Sequence, residues 1–244
     1  MYEGKISQAL VNLAKSLAGS MRGSMAIIAT LACMFFGAVS GSGPATTSAI
    51  SSVMAKGMKE DGYPPVFSAC SVAAAGPLGS LIPPSITMVV YGVTTNTSVG
   101  ELLLAGVWPG VIFGLCLMVY EFYICKKYNY GTVIPFHLEA LAKNLVVSIP
   151  ALVTPVIILG GIYSGIFTPT EAGGAAVFYA LLVGMLWNKS IKVRDLPRIL
   201  LTSGVAAATI IIIIGNVSCL SFVLTREQIP ERLAAMAVQN LSLI

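Results

Sequence analysis

Long apolar runs, interrupted at two places by glycine, serine and proline, set the pattern of the chain. A helix that crosses the hydrocarbon core of a bilayer needs about 20 mostly apolar residues. That length divides the sequence into six blocks: 25–39, 64–82 continuing to 93, 101–125, 145–162, 171–187 and 199–224, with 229–244 opening another helix. After 25–39 comes Ser40-Gly41-Ser42-Gly43-Pro44, followed by Ala45-Thr46-Thr47 and a short run to Lys56. Proline lacks an amide hydrogen and glycine is conformationally loose, so the helix is expected to stop there. A second interruption reads Gly76-Pro77-Leu78-Gly79, then Ile82-Pro83-Pro84-Ser85.

Charge placement decides how the first interruption sits. If Ser40–Pro44 is the tip of a hairpin that enters and leaves on one face, and later blocks cross alternately, nearly all fourteen cations share a side. Lys5, Lys15, Arg22, Lys56, Lys59, Lys126, Lys127, Lys143, Lys189, Lys192, Arg194 and Arg198 lie together, and only Arg226 and Arg232 lie opposite. Lys and Arg concentrate on the cytoplasmic side of membrane proteins. A full crossing through 45–56 would have only 12 residues, too few to span. The loops at 96–98 and 167–170 carry no cation and fall on the other side. The expected fold is therefore an all-α integral membrane protein, a polytopic helical bundle with a re-entrant hairpin and a broken helix. Its parts are an amphipathic lead-in at the cytoplasmic interface over 1–21 and a unit over 22–98 holding the hairpin (22–59) and the broken helix (64–97). A transmembrane helix with a cytoplasmic connector follows over 99–136, then further transmembrane helices over 137–244.

Composition names the solvent. The 244 residues are 56% hydrophobic and 10% charged, with a mean hydropathy of +0.87, whereas soluble domains carry about 25% charged residues. No Lys/Arg cluster interleaves with aromatics, which argues against a nucleic-acid partner. The single histidine, His137, lies in a polar connector over 128–144 and is given no catalytic role. Cys33, Cys70, Cys116, Cys125 and Cys219 form no C-x-x-C pair, and cysteine in apolar segments acts as a small hydrophobe. Residues 1–15 are not read as a signal peptide, because Glu3 falls in the would-be basic region and no cleavage site follows. Neither a Walker A sequence, H-E-x-x-H nor G-x-S-x-G occurs, so no ATP hydrolysis or enzymatic nucleophile is expected.

In hydrocarbon, broken helices persist only where they line a cavity or lie buried in protein. The freed carbonyls and the hydroxyls of Ser40, Ser42, Thr46 and Thr47 are hard oxygen ligands suited to Na⁺. The half-helix beginning at Ala45 would point its positive end at the same cavity, where a carboxylate is favoured. Small-residue stretches also serve close helix packing, and Gly110-x-x-x-Gly114 and Gly161-x-x-x-Gly165 are read that way; Gly37-x-x-x-Gly41 fits the same pattern. Glu101 and Glu171 are read as helix-start charges, with Thr168 or Thr170 as cap for the second. Glu121 is the ionisable residue within a span, expected to reach the interface or pair with Lys126 or Lys127.

At the two interruptions the sequence resembles a known family. Ser40-Gly41-Ser42-Gly43-Pro44-Ala45-Thr46-Thr47, Met58-Lys59-Glu60-Asp61-Gly62-Tyr63 and Ile82-Pro83-Pro84-Ser85-Ile86-x-Met88-Val89-x-Tyr91-Gly92 are similar to the DctM-type large membrane subunit of TRAP transporters. So are Leu104-Ala105-Gly106 with Pro109-Gly110, the run Pro155–Ile162, Ser164–Ala172, and Val223-Leu224-Thr225 with Ile229-Pro230. The resemblance implies an elevator-type secondary transporter of two inverted repeats, of which this chain would hold one half, as a fragment of a longer protein. It further implies a Na⁺-coupled importer of organic acids such as C4-dicarboxylates in the bacterial inner membrane. Expected partners are a small DctQ-type membrane subunit and a periplasmic DctP-type substrate-binding protein. By the same resemblance Ser40, Ser42, Thr46, Thr47, Gly76 and Gly79 would hold Na⁺. Ser42, Gly43, Pro44, Ala45, Thr46, Pro83, Pro84 and Ser85 would face the substrate. Another ion-coupled anion permease, or a membrane scaffold that transports nothing, are the rival readings.

Overall fold

A computed structural model describes residues 6–18, 23–131, 138–187 and 191–229. Lys5, Arg22, His137, Lys189, Arg232 and the further helix expected up to residue 244 lie outside the described residues, apart from the start of that helix at Ile229. Two compact units are present, residues 1–191 and 192–244.

In the first unit, α1 (Ile6–Ala18) precedes α2 (Ser24–Ser40) and α3 (Gly43–Glu60). Helices α2 and α3 pack against each other as the two arms of a hairpin. With 17 residues, α2 is about 26 Å long at 1.5 Å per residue, short of the roughly 30 Å hydrocarbon core. Its end is set by Gly41, whose φ of +65° no L side chain adopts readily. Ser42 then caps α3, its hydroxyl accepting from the Ala45 amide at 3.4 Å, with Pro44 in the first turn where a missing N–H costs nothing.

The broken helix comprises α4 (Pro65–Ala75), α5 (Leu78–Leu81) and α6 (Ile86–Thr95). Pro65–Leu81 and Ile86–Thr95 meet at a bend of 42°. Next come α7 (Val99–Tyr128), α8 (Leu138–Tyr163) and α9 (Pro169–Leu182), the last running on into a π-helical turn at Val183–Trp187. A capping box starts α9: Thr168 Oγ1 accepts from the Glu171 amide at 3.3 Å, and Glu171 accepts from the Thr168 amide at 2.8 Å. Glu171 is thus the helix-start charge expected.

The core gathers on α2. Its inward residues Ile28, Ala29, Ala32 and Cys33 are buried against Leu10, Val11 and Ala14 of α1, Ile50 and Met54 of α3, and Val72 and Ala75 of α4. Helix α1 packs on both α2 and α8. Its contact with α8 is tied by Asn144, which donates to Asn12 O at 3.2 Å, and by Ser148 Oγ, which donates to Ala9 O at 3.2 Å. Tyr63, Phe67, Tyr128 and Tyr130 stack beside the α3–α4 turn at centroid distances of 5.6–6.2 Å. By contrast the long helices keep apolar side chains on the outside, among them Trp108, Val119, Val156 and Phe178. Such a surface suits lipid and not water.

The second unit has a single turn, Val193–Asp195, and then α10 (Leu196–Arg226), 31 residues with none buried. Among the described residues four helices are long and apolar enough to cross a membrane, and five if the bent pair counts as one span.

Candidate functional site

The two interruptions, some forty residues apart in sequence, lie directly on one another. At each, the chain leaves helical geometry and strands backbone groups that cost several kcal/mol if buried without partners. Each interruption supplies what the other lacks. The Ile86 amide donates to Gly41 O at 3.0 Å, and the Gly43 amide donates to Ser80 Oγ at 3.0 Å. Ser85 Oγ donates to Ser80 O at 2.6 Å and accepts from the Met88 amide, so it both closes the bend and caps α6.

Missing side chains make this approach possible. A Cβ on Gly37 would come within 2.7 Å of Gly79 Cα, and one on Gly41 within 2.6 Å of Pro84 O. At Gly79 it would strike the Thr46 hydroxyl and lie 2.8 Å from Ser42 O; at Gly76 it would strike the Thr47 hydroxyl. Gly37 and Gly41 therefore serve close packing, as their spacing allowed. The same holds for Gly110 and Gly114, which receive Ile82 and Met34. Gly161 instead makes room for the Phe167 ring, and Gly165 takes a φ of +70° in the turn before α9.

The hydroxyls expected at the tip form one connected set. Thr46 Oγ1 donates to Ser42 O at 2.8 Å and lies 2.9 Å from Ser40 Oγ, while Ser40 Oγ reaches Ser42 O at 3.4 Å. Thr47 Oγ1 donates to Gly43 O at 3.0 Å. Thr46 is fully buried and Ser85 is 1% exposed. Pro44 and Ala45 form an exposed rim. Pro84 stands against the tip through the approach of its carbonyl to Gly41, with Pro83 one residue before it. The tip thus meets Gly76, Gly79, Pro84 and Ile86 of the broken helix.

Two residues that the sequence did not single out complete the arrangement. Ser80 holds the Gly43 amide, and Thr87 Oγ1 lies 2.9 Å from Ser85 Oγ. Their signal was present: each is a hydroxyl within three residues of a glycine or proline in an otherwise apolar block.

The second interruption has two parts. Between α4 and α5 the helix is broken at Gly76 and Pro77 as expected, although both residues keep right-handed angles (φ −53°, ψ −44° and φ −55°, ψ −22°). The Pro77 carbonyl accepts from the Ser80 and Leu81 amides, so helix resumes at once. Proline is tolerated in a first helical turn. The larger departure comes at Ile82–Ser85, where the 42° bend lies.

Glu121 also departs from its expected place. It is 2% exposed and neither reaches the interface nor pairs with lysine. Thr30 Oγ1 donates to its two carboxylate oxygens at 3.0 and 2.9 Å, and Ser71 Oγ donates to Oε1. Lys126 Nζ lies 6.0 Å from the Phe122 ring centroid and Lys127 Nζ 5.5 Å from that of Tyr128. The cysteines divide as well: Cys33 and Cys125 are core residues, whereas Cys70, Cys116 and Cys219 are exposed.

Residues 1–242 match the family described as the DctM component of the tripartite ATP-independent periplasmic transporters. Among curated proteins, the chain is 41% identical to the C4-dicarboxylate TRAP transporter large permease protein DctM of Pseudomonas aeruginosa, over 98% of this chain and 56% of that protein. It is 39% identical to the isethionate TRAP transporter permease protein DctMQ of Oleidesulfovibrio alaskensis, over 96% of this chain and 37% of that protein. Against the sialic acid TRAP transporter large permease protein SiaM of Vibrio cholerae the identity is 36%, over 96% and 55%. The chain thus spans at most a little over half the length of these relatives. A bundle of membrane-length helices built around a hairpin and a broken helix, matched by this family almost from end to end, is a polytopic helical membrane protein of the DctM component family of TRAP transporters.

Proposed function

We propose that the chain is part of the large permease of a sodium-coupled importer of small organic acids, working in the bacterial inner membrane. The observation that carries this reading is the meeting of Ser40, Ser42 and Thr46 with the bend at Ile82–Ser85. Ser40 Oγ, Thr46 Oγ1 and Ser42 O are uncharged hard oxygens 2.8–3.4 Å apart. Unwound backbone and hydroxyl oxygens of this kind coordinate Na⁺ in transporters with discontinuous helices. Thr47, Gly76 and Gly79 border the set. Gly76 O accepts from the Gly79 amide and keeps one lone pair for an ion.

An organic anion fits the rim beside it. The N-terminal ends of α3 and α6 both open here, and their dipoles favour negative charge. In this conformation the Gly43, Ala45 and Thr46 amides donate to Ser80 Oγ, Ser42 Oγ and Ser42 O. A carboxylate would take the place of the Ser42 hydroxyl at Ala45, between the rim of Gly43 and Pro44 and the wall of Pro83, Pro84 and Ser85. The three relatives are named for a C4-dicarboxylate, isethionate and sialic acid. Each of these carries an anionic group, which supports an organic acid as the substrate class and a C4-dicarboxylate as the first candidate.

In transport, the part holding the hairpin and broken helix would slide against scaffold helices such as that over 145–162. A periplasmic DctP-type binding protein would deliver the substrate, and a small DctQ-type subunit would complete the membrane part. The test is uptake into proteoliposomes holding the full-length permease with both partners. Ser40→Ala and Thr46→Ala each remove one hydroxyl of that set and should each raise the Na⁺ concentration for half-maximal uptake about tenfold, while Thr46→Ser stays near the parent. An unchanged Na⁺ dependence in both alanine variants refutes the assignment.

A further inference from the structure

We infer that Glu121, Thr30 and Ser71 form a binding site for a small monovalent cation, a proton or an alkali-metal ion, separate from the hairpin tip. The three side chains come from different helices, α7, α2 and α4. Thr30 is fully buried, Glu121 is 2% exposed and Ser71 is 7% exposed. Two hydroxyls converge on the carboxyl group, Thr30 touching both oxygens and Ser71 one. Each carboxylate oxygen therefore has a hydroxyl donor within reach, but the charge of the site is not balanced. Hydroxyls carry no charge, and the other titratable groups beside Glu121 are the thiols of Cys33 and Cys125, which add none in their neutral form. Among the described residues no cation balances the carboxylate, since Lys126 and Lys127 lie against aromatic rings of their own helix.

With neutral donors and no counter-charge among the described residues, a buried carboxylate is in a strongly unfavourable state. It becomes favourable when a cation occupies the site. The requirement is met by a proton on the carboxyl, or by an alkali ion held between carboxylate and hydroxyl oxygens. Ionisable groups of this kind inside a membrane bundle mark ion pathways and relays. The position adds a consequence. Thr30 sits ten residues before Ser40 on the same hairpin arm, and Ser71 five residues before Gly76 on the first half of the broken helix. Occupancy at Glu121 therefore bears on both elements that meet at the tip.

Infrared spectroscopy of the purified protein in lipid, with thermal melts in matched sodium and choline buffers, tests this and separates the two ligands. If a proton is held, the parent in choline buffer at about pH 7 shows a carboxylic-acid C=O band that Glu121→Gln removes. If a sodium ion is held, that band is absent and sodium raises the melting temperature; Glu121→Gln loses the part of this gain that belongs to Glu121, and Thr46→Ala at the tip retains that part. A parent with neither the acid band nor a sodium gain that depends on Glu121 overturns the proposal. Should Glu121→Gln fail to fold, Thr30→Val and Ser71→Ala leave the carboxyl in place. They must then shift the acid band or weaken the sodium gain, and no change in either readout overturns the proposal equally.

Discussion

Gly79→Ala is the sharpest probe of how the tip is built. A single methyl at this position would strike the Thr46 hydroxyl and lie 2.8 Å from Ser42 O and 2.9 Å from Thr46 Cβ. None of these atoms is the free end of a flexible chain. Ser42 O is held by the Thr46 amide at 2.9 Å and by the Thr46 hydroxyl at 2.8 Å. Retreat to the other side is closed too, because Gly37 already lies against the Gly79 backbone. Overpacking of this kind costs about 1–3 kcal/mol. Alanine returns up to about 1 kcal/mol of helix propensity, so the expected net loss spans about 0–3 and centres on about 1–2 kcal/mol. For a chain of this length each kcal/mol moves the melting temperature by about 2–4 °C. Gly79→Ala should therefore melt about 2–8 °C below the parent in lipid or detergent. Gly173→Ala is the control, since nothing lies within 4 Å of a Cβ there and α9 should gain or stay level. Thr46→Ala removes the struck hydroxyl, so the double variant should recover part of the loss, with a coupling of about 1 kcal/mol. If Gly79→Ala melts at or above the parent, the contact between tip and broken helix described above is wrong.

Ser80→Ala should leave the buried Gly43 amide without its acceptor at a cost of about 1–3 kcal/mol. Hydrogen exchange of peptides covering 40–50 should then speed up about tenfold or more, and unchanged protection would deny Ser80 its role. Single cysteines in a background without the native five test the proposed orientation: Asn96→Cys should label from outside intact cells with an impermeant maleimide, and Lys127→Cys only after the cells are opened. The opposite pattern would invert the topology.

Much of this arrangement was legible because backbone chemistry is local. Glycine beside proline after an apolar run can only end a helix, so the hairpin tip at Ser40–Pro44 and the bend at Pro83-Pro84 could be placed from residue types alone. Gly76-Pro77 also ends a helix, but only for one turn, because the Gly76 and Pro77 carbonyls accept from Gly79, Ser80 and Leu81 just beyond. Glu121 was misplaced. Nearby lysines suggested an interface, yet the small residues Gly106, Gly110 and Gly114 mark a buried stripe of α7 that continues through Glu121 and Cys125. Helical spacing already put the carboxyl on that inner face. What no local pattern carried was the partner of each surface: that α1 packs between α2 and α8, or that Thr30 and Ser71 converge on one carboxyl, follows from tertiary packing. At the tip the residues were legible; the exchange of hydrogen bonds between the two breaks, through Ser80 and Ile86, was not.

That exchange also constrains the order of biogenesis. Ile86 follows Gly41 by 45 residues, which at about 5–20 residues per second is a delay of roughly 2–9 s during synthesis. Throughout that interval the Gly41 carbonyl and the Gly43 amide have no partner from the broken helix, and hydrocarbon offers none. A newly made hairpin must therefore wait where water or the insertion machinery can satisfy its tip. It enters the bilayer only with the broken helix, as one co-inserted unit.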